Sequence, residues 1–256
     1  PFSAGVKGIF SPNTGIIDYS EVSRMYAEQF GEQGGDLLTK AELLSAERRD
    51  GLIYLNTTAG IITAKNVINC AGLHADYVAK MMGVDTGVRI VPFRGEYFSI
   101  VPEKVHMVKG LIYPVPDPKL PFLGVHFTKR VDGSVEAGPN AVLAFAKEGY
   151  SKTSVSAQDL LNTFAYPGFW KMSAKFWKIG VKEQYRSLAK GAFLNSLKTL
   201  IPEIEESDLG SPGAGVRAQA VDRNGNLLQD FSISETDNVI HVMSAPSPGA
   251  TSSLTI

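Results

Sequence analysis

A single cysteine, Cys70, is present, which excludes an intrachain disulfide and any Cys-rich zinc or iron–sulfur site. The four histidines, at 74, 106, 126 and 241, show no metal-ligand spacing, so no metal is expected. No run of about 18 or more apolar residues occurs, which predicts no transmembrane helix. The start, "PFSAGVKG", lacks the charged-then-apolar order of a signal peptide, so a cytoplasmic protein is expected. Charge of one sign is also missing: 25 Lys and Arg face 26 Asp and Glu, which leaves no electrostatic footprint for nucleic acid. No GxGxxG fingerprint is found. What remains is an ordinary globular composition, 44% apolar and 20% charged, in a 256-residue chain long enough for one large domain or two interleaved ones.

The pattern predicts a helix over 18–33, with Val22, Met25, Tyr26 and Phe30 on one face and "GEQGGD" as its stop. Three strands are expected near 36–47, 51–57 and 61–69, the first two joined by an "RRDG" hairpin turn. The stretch "VINCAGLHAD" (67–76) then ends a strand in a small-residue turn and opens a helix to about Met82. A strand over 89–100 follows. Two hairpins are predicted, one around a two-residue Asp132-Gly133 turn and one around Asn224-Gly225, which implies a mostly antiparallel sheet. Helices fill 156–201, and Ala189, Phe193, Leu197 and Ile201 form an apolar stripe halted by Pro202.

Strand alternation turns Leu123, Val125 and Phe127 to a core and leaves His126 and Thr128 opposite. Val216, Ala218 and Ala220 do the same, leaving Arg217 and Gln219, and Arg94 and Glu96 alternate with Phe93, Gly95 and Tyr97. Arg94, His126 and Arg217 are therefore expected on one open sheet face. Two arginines could grip carboxylates there, and a histidine could move a proton near neutral pH. The alternative is three solvated surface residues. The tail "SAPSPGATSS" repeats the strand–turn–helix layout, with Pro246, Pro248 and Gly249 fixing the turn and Ala250–Ser253 opening a helix whose free amides suit an anion. Over 168–186, Lys171, Lys175, Lys178 and Lys182 fall at helical spacing beside Trp170, Phe176 and Trp177. That helix reads either as a solvated lysine face over core aromatics or as a peripheral membrane contact.

Several stretches in order, "SPNTGIIDYSEV", "VINCAGLHAD", "VPFRGEYF", "LIYPVPDPKLPFLGVHFTKR", "GPNAVLAFAKEGY", "FLNSLKTLIPEI", "GVRAQAVDRNGNLLQDF" and "SAPSPGATSSL", resemble the FAD-dependent L-2-hydroxyglutarate oxidases and dehydrogenases. These belong among the glycine-oxidase and D-amino-acid-oxidase-like flavoproteins. The resemblance spans nearly the whole chain. It implies an α/β (α+β) fold, with part of an FAD-binding Rossmann-like domain at 1–83, an antiparallel-sheet substrate domain at 84–222, and a return to the FAD domain at 223–256. In that family the GxGxxG strand lies N-terminal to the stretch that this chain resembles, so a fragment of a longer protein is expected.

The resemblance places Asn69, Ala71, Gly72, Leu73 and His74 at a second cofactor turn, with His74 as a wall of the site. It places the backbone around Glu42 and Leu43 along the adenine, and Gly249, Ala250, Thr251 and Ser252 at the flavin's pyrimidine edge. Arg217 is similar to the arginine that relatives use for the substrate carboxylate; Arg94 as a second holder and His126 as the base are expected from the sheet-face pattern and not from the resemblance. The implied reaction oxidises a dicarboxylate 2-hydroxy acid, L-2-hydroxyglutarate, to 2-oxoglutarate and passes electrons to oxygen or a quinone. A related flavoenzyme acting on an amine or on glycerol phosphate, and a non-catalytic binding fragment, are the rival readings.

Overall fold

The computed structural model describes residues 4–116, 122–246 and 249–253. In chain order the elements are α1 (Tyr19–Glu32), β1 (Leu43–Arg49), β2 (Leu52–Thr57), β3 (Gly60–Ala64), β4 (Val67–Asn69), α2 (Ala75–Met81) and β5 (Val88–Ile100). There follow β6 (His126–Lys129), β7 (Val135–Gly138), β8 (Val142–Leu143), α3 (Ala157–Phe164), α4 (Pro167–Leu188), α5 (Lys190–Lys198), β9 (Leu209–Asp222), β10 (Ser232–Thr236) and β11 (Val239–Ser244). The chain divides into two compact units. One gathers the residues up to Asp18 with Pro92–Leu160 and Ser173–Arg217; the other takes Tyr19–Val91, Leu161–Met172 and the chain from Ala218.

The first unit is built on the sheet β6-β7-β5-β8, with β9 also paired to β5. The neighbours along β6-β7-β5-β8 run antiparallel. The core holds Phe127, Val135 and Ala137 from the sheet against Phe193, Leu197 and Ile201, the predicted stripe of α5 and the turn after it. Each of these is at most 2% exposed. The Asp132-Gly133 turn differs from the two-residue expectation. Gly133 N–H bonds Arg130 O at 3.0 Å and Arg130 N–H bonds Ser134 O at 2.8 Å, so three residues form the loop. Gly133, at φ 86°, is the left-handed residue that a type I turn with a G1 bulge requires. Asn224-Gly225 has the same geometry, through Gly225 N–H to Asp222 O and Asp222 N–H to Asn226 O, both 3.0 Å. Its return arm is one isolated bridge, Val221 to Leu227, rather than a strand.

In the second unit the "RRDG" hairpin forms as expected. Arg49 pairs with Leu52, and Asp50 and Gly51 sit at φ 55° and 76°. The strand expected over 61–69 is two strands. β3 continues the antiparallel β1-β2-β3 meander, whereas β4 leaves it to pair in parallel with β11. Ala75 and Ala79 of α2 pack on Val88, Ile90, Ala220 and Met243. The buried Asp76 carboxylate accepts from Ile90 N–H at 3.1 Å. α1 forms where predicted, yet its apolar stripe is uncovered by the described residues: Met25, Tyr26 and Phe30 are 39%, 37% and 53% exposed.

Candidate functional site

The second unit supplies a turn edge. Val67, Ile68 and Asn69 of β4 lie in parallel register with Val239, Ile240 and His241 of β11. Parallel strands end at the same edge, so the turns after Asn69 and after Ser244 leave the sheet on one side. This carboxyl edge of parallel strands is where open α/β sheets take ligands. Asn69 builds the turn rather than facing outward. It is 3% exposed; its Nδ2 donates to Ala75 O at 2.8 Å and to His241 Nδ1 at 3.0 Å, and its Oδ1 accepts from Ala71 N–H at 3.1 Å.

Since Nδ1 of His241 accepts, Nε2 carries the proton, and this buried N–H has no partner among the described residues. Burial, with a smaller push from Arg48, holds His241 below the ordinary imidazole value of 6.5, hence neutral at pH 7. Ala71 and Gly72 are exposed, and Gly72 turns at φ 54° with nothing within 4 Å of where a Cβ would stand. Leu73 and His74 are half-buried in the short 3-10 turn that follows, the His74 ring 6.0 Å from that of Tyr77. An exposed positive-φ glycine with open space beside its backbone fits a cofactor lying flat on the turn.

Other expected contacts are less free. Glu42 N–H donates to Thr58 Oγ1 at 2.9 Å and Glu42 O accepts from Thr58 N–H at 3.0 Å, so only a second lone pair of that carbonyl is left. Leu43 pairs with Thr57 at the bulged start of β1. Gly249 is buried, and a Cβ there would stand 2.6 Å from Ala245 O, so this glycine serves the turn's own packing. Ala250, Thr251 and Ser252 lie in turns and are not helical. Ala250 O accepts from Ser253, from its N–H at 3.4 Å and its Oγ at 2.8 Å. Pro248 lies outside the described residues.

Asn69→Leu removes all three bonds and leaves the buried His241 Nδ1 without a donor. We expect a loss of about 3 kcal/mol in a thermal or urea unfolding measurement. A change within about 0.5 kcal/mol, the range of ordinary surface substitutions, would remove Asn69 from this structural role.

The first unit supplies a cationic sheet face. His126 pairs with Gly138, and Phe127 with Ala137, which in turn pairs with Phe98. Paired residues share a face, so Phe98, Glu96 and Arg94 lie with the core residues Phe127 and Ala137, opposite His126. The expectation that Arg94 joins His126 on an open face is therefore corrected. Arg94 is 4% exposed, and its guanidinium binds the Glu96 carboxylate at 2.9 and 3.0 Å and Ser151 O at 3.1 Å. Asn140 Nδ2 holds the other Glu96 oxygen at 3.0 Å.

Arg217 does belong with His126. A Cβ on Gly213 would meet the Tyr97 ring at 2.3 Å, and Gly213, Gly215 and Arg217 alternate onto that same side. The Arg217 guanidinium stands 5.4 Å from the Phe122 ring centroid and has no hydrogen-bond or ion-pair partner among the described residues. Burial holds it below the usual arginine range. The His126 ring stacks on Tyr113 at 4.4 Å, and its Nδ1 lies 3.0 Å from Gly124 O. A carbonyl can only accept, so Nδ1 bears the proton and Nε2 offers a lone pair. Burial foremost, and the Arg217 charge, lower the His126 pKa against that hydrogen bond. Sequence reasoning missed Tyr113 and Phe122. Their aromatic type was visible, but nothing local ties them to His126 or Arg217.

Together the units define an α/β protein with a ligand-type turn edge in one unit and a cationic sheet face in the other. Residues 1–256 match the family described as FAD dependent oxidoreductase, and the chain belongs to it. It is 52% identical, over its whole length, to an L-2-hydroxyglutarate dehydrogenase of Indibacter alkaliphilus, 44% to the mitochondrial one of Homo sapiens and 42% to that of Escherichia coli K12. It spans 64%, 59% and 61% of those relatives. Among solved structures it resembles the FAD-bound L-alpha-glycerophosphate oxidase of Mycoplasma pneumoniae, with a TM-score of 0.66 at 19% identity over 91% of this chain and 52% of that one. At that identity the likeness shows the fold.

Proposed function

We propose that the protein to which this chain belongs oxidises L-2-hydroxyglutarate to 2-oxoglutarate. The observation that carries the reading is a desolvated arginine with no counter-ion among the described residues, Arg217, on the same sheet face as a histidine whose free nitrogen is Nε2. A buried cation left unpaired is unfavourable unless an anion arrives to complete it, and a carboxylate matches the guanidinium fork. Arg217 would hold a substrate carboxylate, while His126 Nε2 takes the C2 hydroxyl proton. Bound FAD would supply the acceptor for the hydride lost from C2. Ala71 and Gly72, with Leu73 and His74 behind them, would seat that cofactor. The backbone at Leu43 and at residues 250–252 would share that role. Turnover of the full-length enzyme on L-2-hydroxyglutarate, an amino acid and glycerol phosphate tests the substrate, and preference for either of the last two rejects the reading.

His126 must be neutral to act as base, so kcat/KM should fall as pH drops through a pKa lying below 6.5. Titration of its ring protons by NMR should place the pKa below 6.5, and Arg217→Met should raise it by removing the neighbouring charge. A wild-type value at or above 6.5 would overturn the assignment.

Among the described residues no helix is long and apolar enough to cross a membrane. α4 nonetheless carries Trp170, Trp177, Val181 and Leu188 on one face, 57–73% exposed, flanked by exposed Lys171, Lys175, Lys178 and Lys182. We propose that this helix lies on an anionic lipid surface and that the electron acceptor is a membrane quinone. The chain should sediment with phosphatidylserine vesicles but not with phosphatidylcholine ones. Lys178→Gln and Lys182→Gln should each weaken this by about 1 kcal/mol, roughly fivefold. Equal affinity for both vesicle types would count against it.

A further inference from the structure

The first unit holds a cavity of about 400 Å³ to which His126, Arg217, Tyr113 and Phe122 contribute nothing. That volume lies in the range of about 300–1,000 Å³ typical of small-molecule sites. Four cationic side chains line it, Arg94, Lys152, Arg186 and Lys190, against one carboxylate, Glu96. They come from β5, the loop after β8 and the junction of α4 with α5.

The arginines are already held, Arg94 by Glu96 and Arg186 by Glu183 at 2.6 Å. The lysines have looser counter-ions. Lys152 stands 3.8 Å from Glu96 and Lys190 3.8 Å from Glu206, contacts too long for a hydrogen bond. Lys152 also donates to Ser187 O. A second observation stands beside it: Ser187 lines the same cavity and is 8% exposed, and its buried hydroxyl has no hydrogen-bond partner among the described residues. A buried hydroxyl without a partner costs free energy that a ligand oxygen would recover.

We propose that this cavity is a binding site for a small dianionic oxyanion, separate from the His126–Arg217 face. Lys152 and Lys190 clamp its charges from two different elements and the Ser187 hydroxyl donates between them. A dicarboxylate and a phosphate share this chemistry.

Isothermal titration of the purified chain with glutarate and with inorganic phosphate, at matched ionic strength with sodium chloride as control, tests it. Saturable one-site binding of either anion, with a rise in melting temperature, is expected, and the preferred anion names the class. Lys152→Met and Lys190→Met should each weaken binding about tenfold, the worth of one charge-assisted hydrogen bond. Both side chains are at least 40% exposed, so their truncation spares the core. Ser187→Ala, which adds no bulk, should weaken it also. Arg217→Ala should leave the affinity unchanged while it lowers kcat/KM in the full-length enzyme, so this site and the proposed activity can fail independently. Absence of saturable binding by both anions, or affinities that ignore Lys152, Lys190 and Ser187, would overturn the proposal.

Discussion

Arg217→Ala should lower kcat/KM for L-2-hydroxyglutarate by about 10²–10³-fold in the full-length enzyme, the usual cost of deleting one partner of a desolvated charge pair. The effect should fall on KM as well as kcat, because the guanidinium holds a carboxylate that is charged in ground and transition states alike. The isolated chain should respond in the opposite sense. Arg217 is removed from water with no counter-ion among the described residues, so Arg217→Met should be no less stable than wild type. An activity within about threefold of wild type would exclude Arg217 from the site, and marked destabilisation by Arg217→Met would mean that the guanidinium is already satisfied within the fold.

Glu96→Ala should be among the most destabilising single substitutions in the first unit, at about 3–5 kcal/mol, because it leaves Arg94 buried and unpaired. The Glu96 side chain is 12% exposed and accepts from Arg94 and from Asn140. The alanine variant loses the 3.0 Å bond from Asn140 Nδ2 and so also loosens the segment after β7, although the Glu96 N–H still donates to Asn140 Oδ1 at 2.8 Å. Replacing both partners, Arg94→Met with Glu96→Leu, should recover most of the loss, since a well-packed apolar pair avoids the desolvation of two charges. Thermal unfolding of the single and double variants decides the matter. A mild single variant, or a double variant worse than the single, would show that the pair does not balance itself in this way.

Much of the fold was legible locally. The Asp-Gly and Asn-Gly pairs marked their turns because glycine tolerates the positive φ that each turn demands, although the loops proved to be three residues long. The apolar spacing of α5 foretold a buried helix, since residues three and four apart share a face. Val125 and Phe127 turned to the core on either side of His126, as alternation in a half-buried strand requires, whereas Leu123 lies before the strand and is half-buried. The small-residue turn at Asn69–Gly72 was visible as a backbone that something could approach.

The site was legible only where one strand sufficed. His126 opposite Phe127 follows from alternation within β6. Placing Arg94 beside it required the pairing of β6 through β7 to β5, and a register displaced by one residue turns a whole side-chain set to the other face. That parity is set by hydrogen bonds between residues far apart in the chain, which no local pattern encodes.

Amino-acid type and spacing alone determined most of the helices, strands and turns, and that Arg217 and His126 are candidates for chemistry. Tertiary structure decided the rest: that Arg94 is locked to Glu96, that β4 and β11 run parallel so two turns share an edge, and that Ser187 and two lysines meet at one cavity. Short-range sterics and hydrogen bonding act within a few residues and are written in sequence order. Counter-ions, register and cavities arise from segments that meet only when the chain has folded.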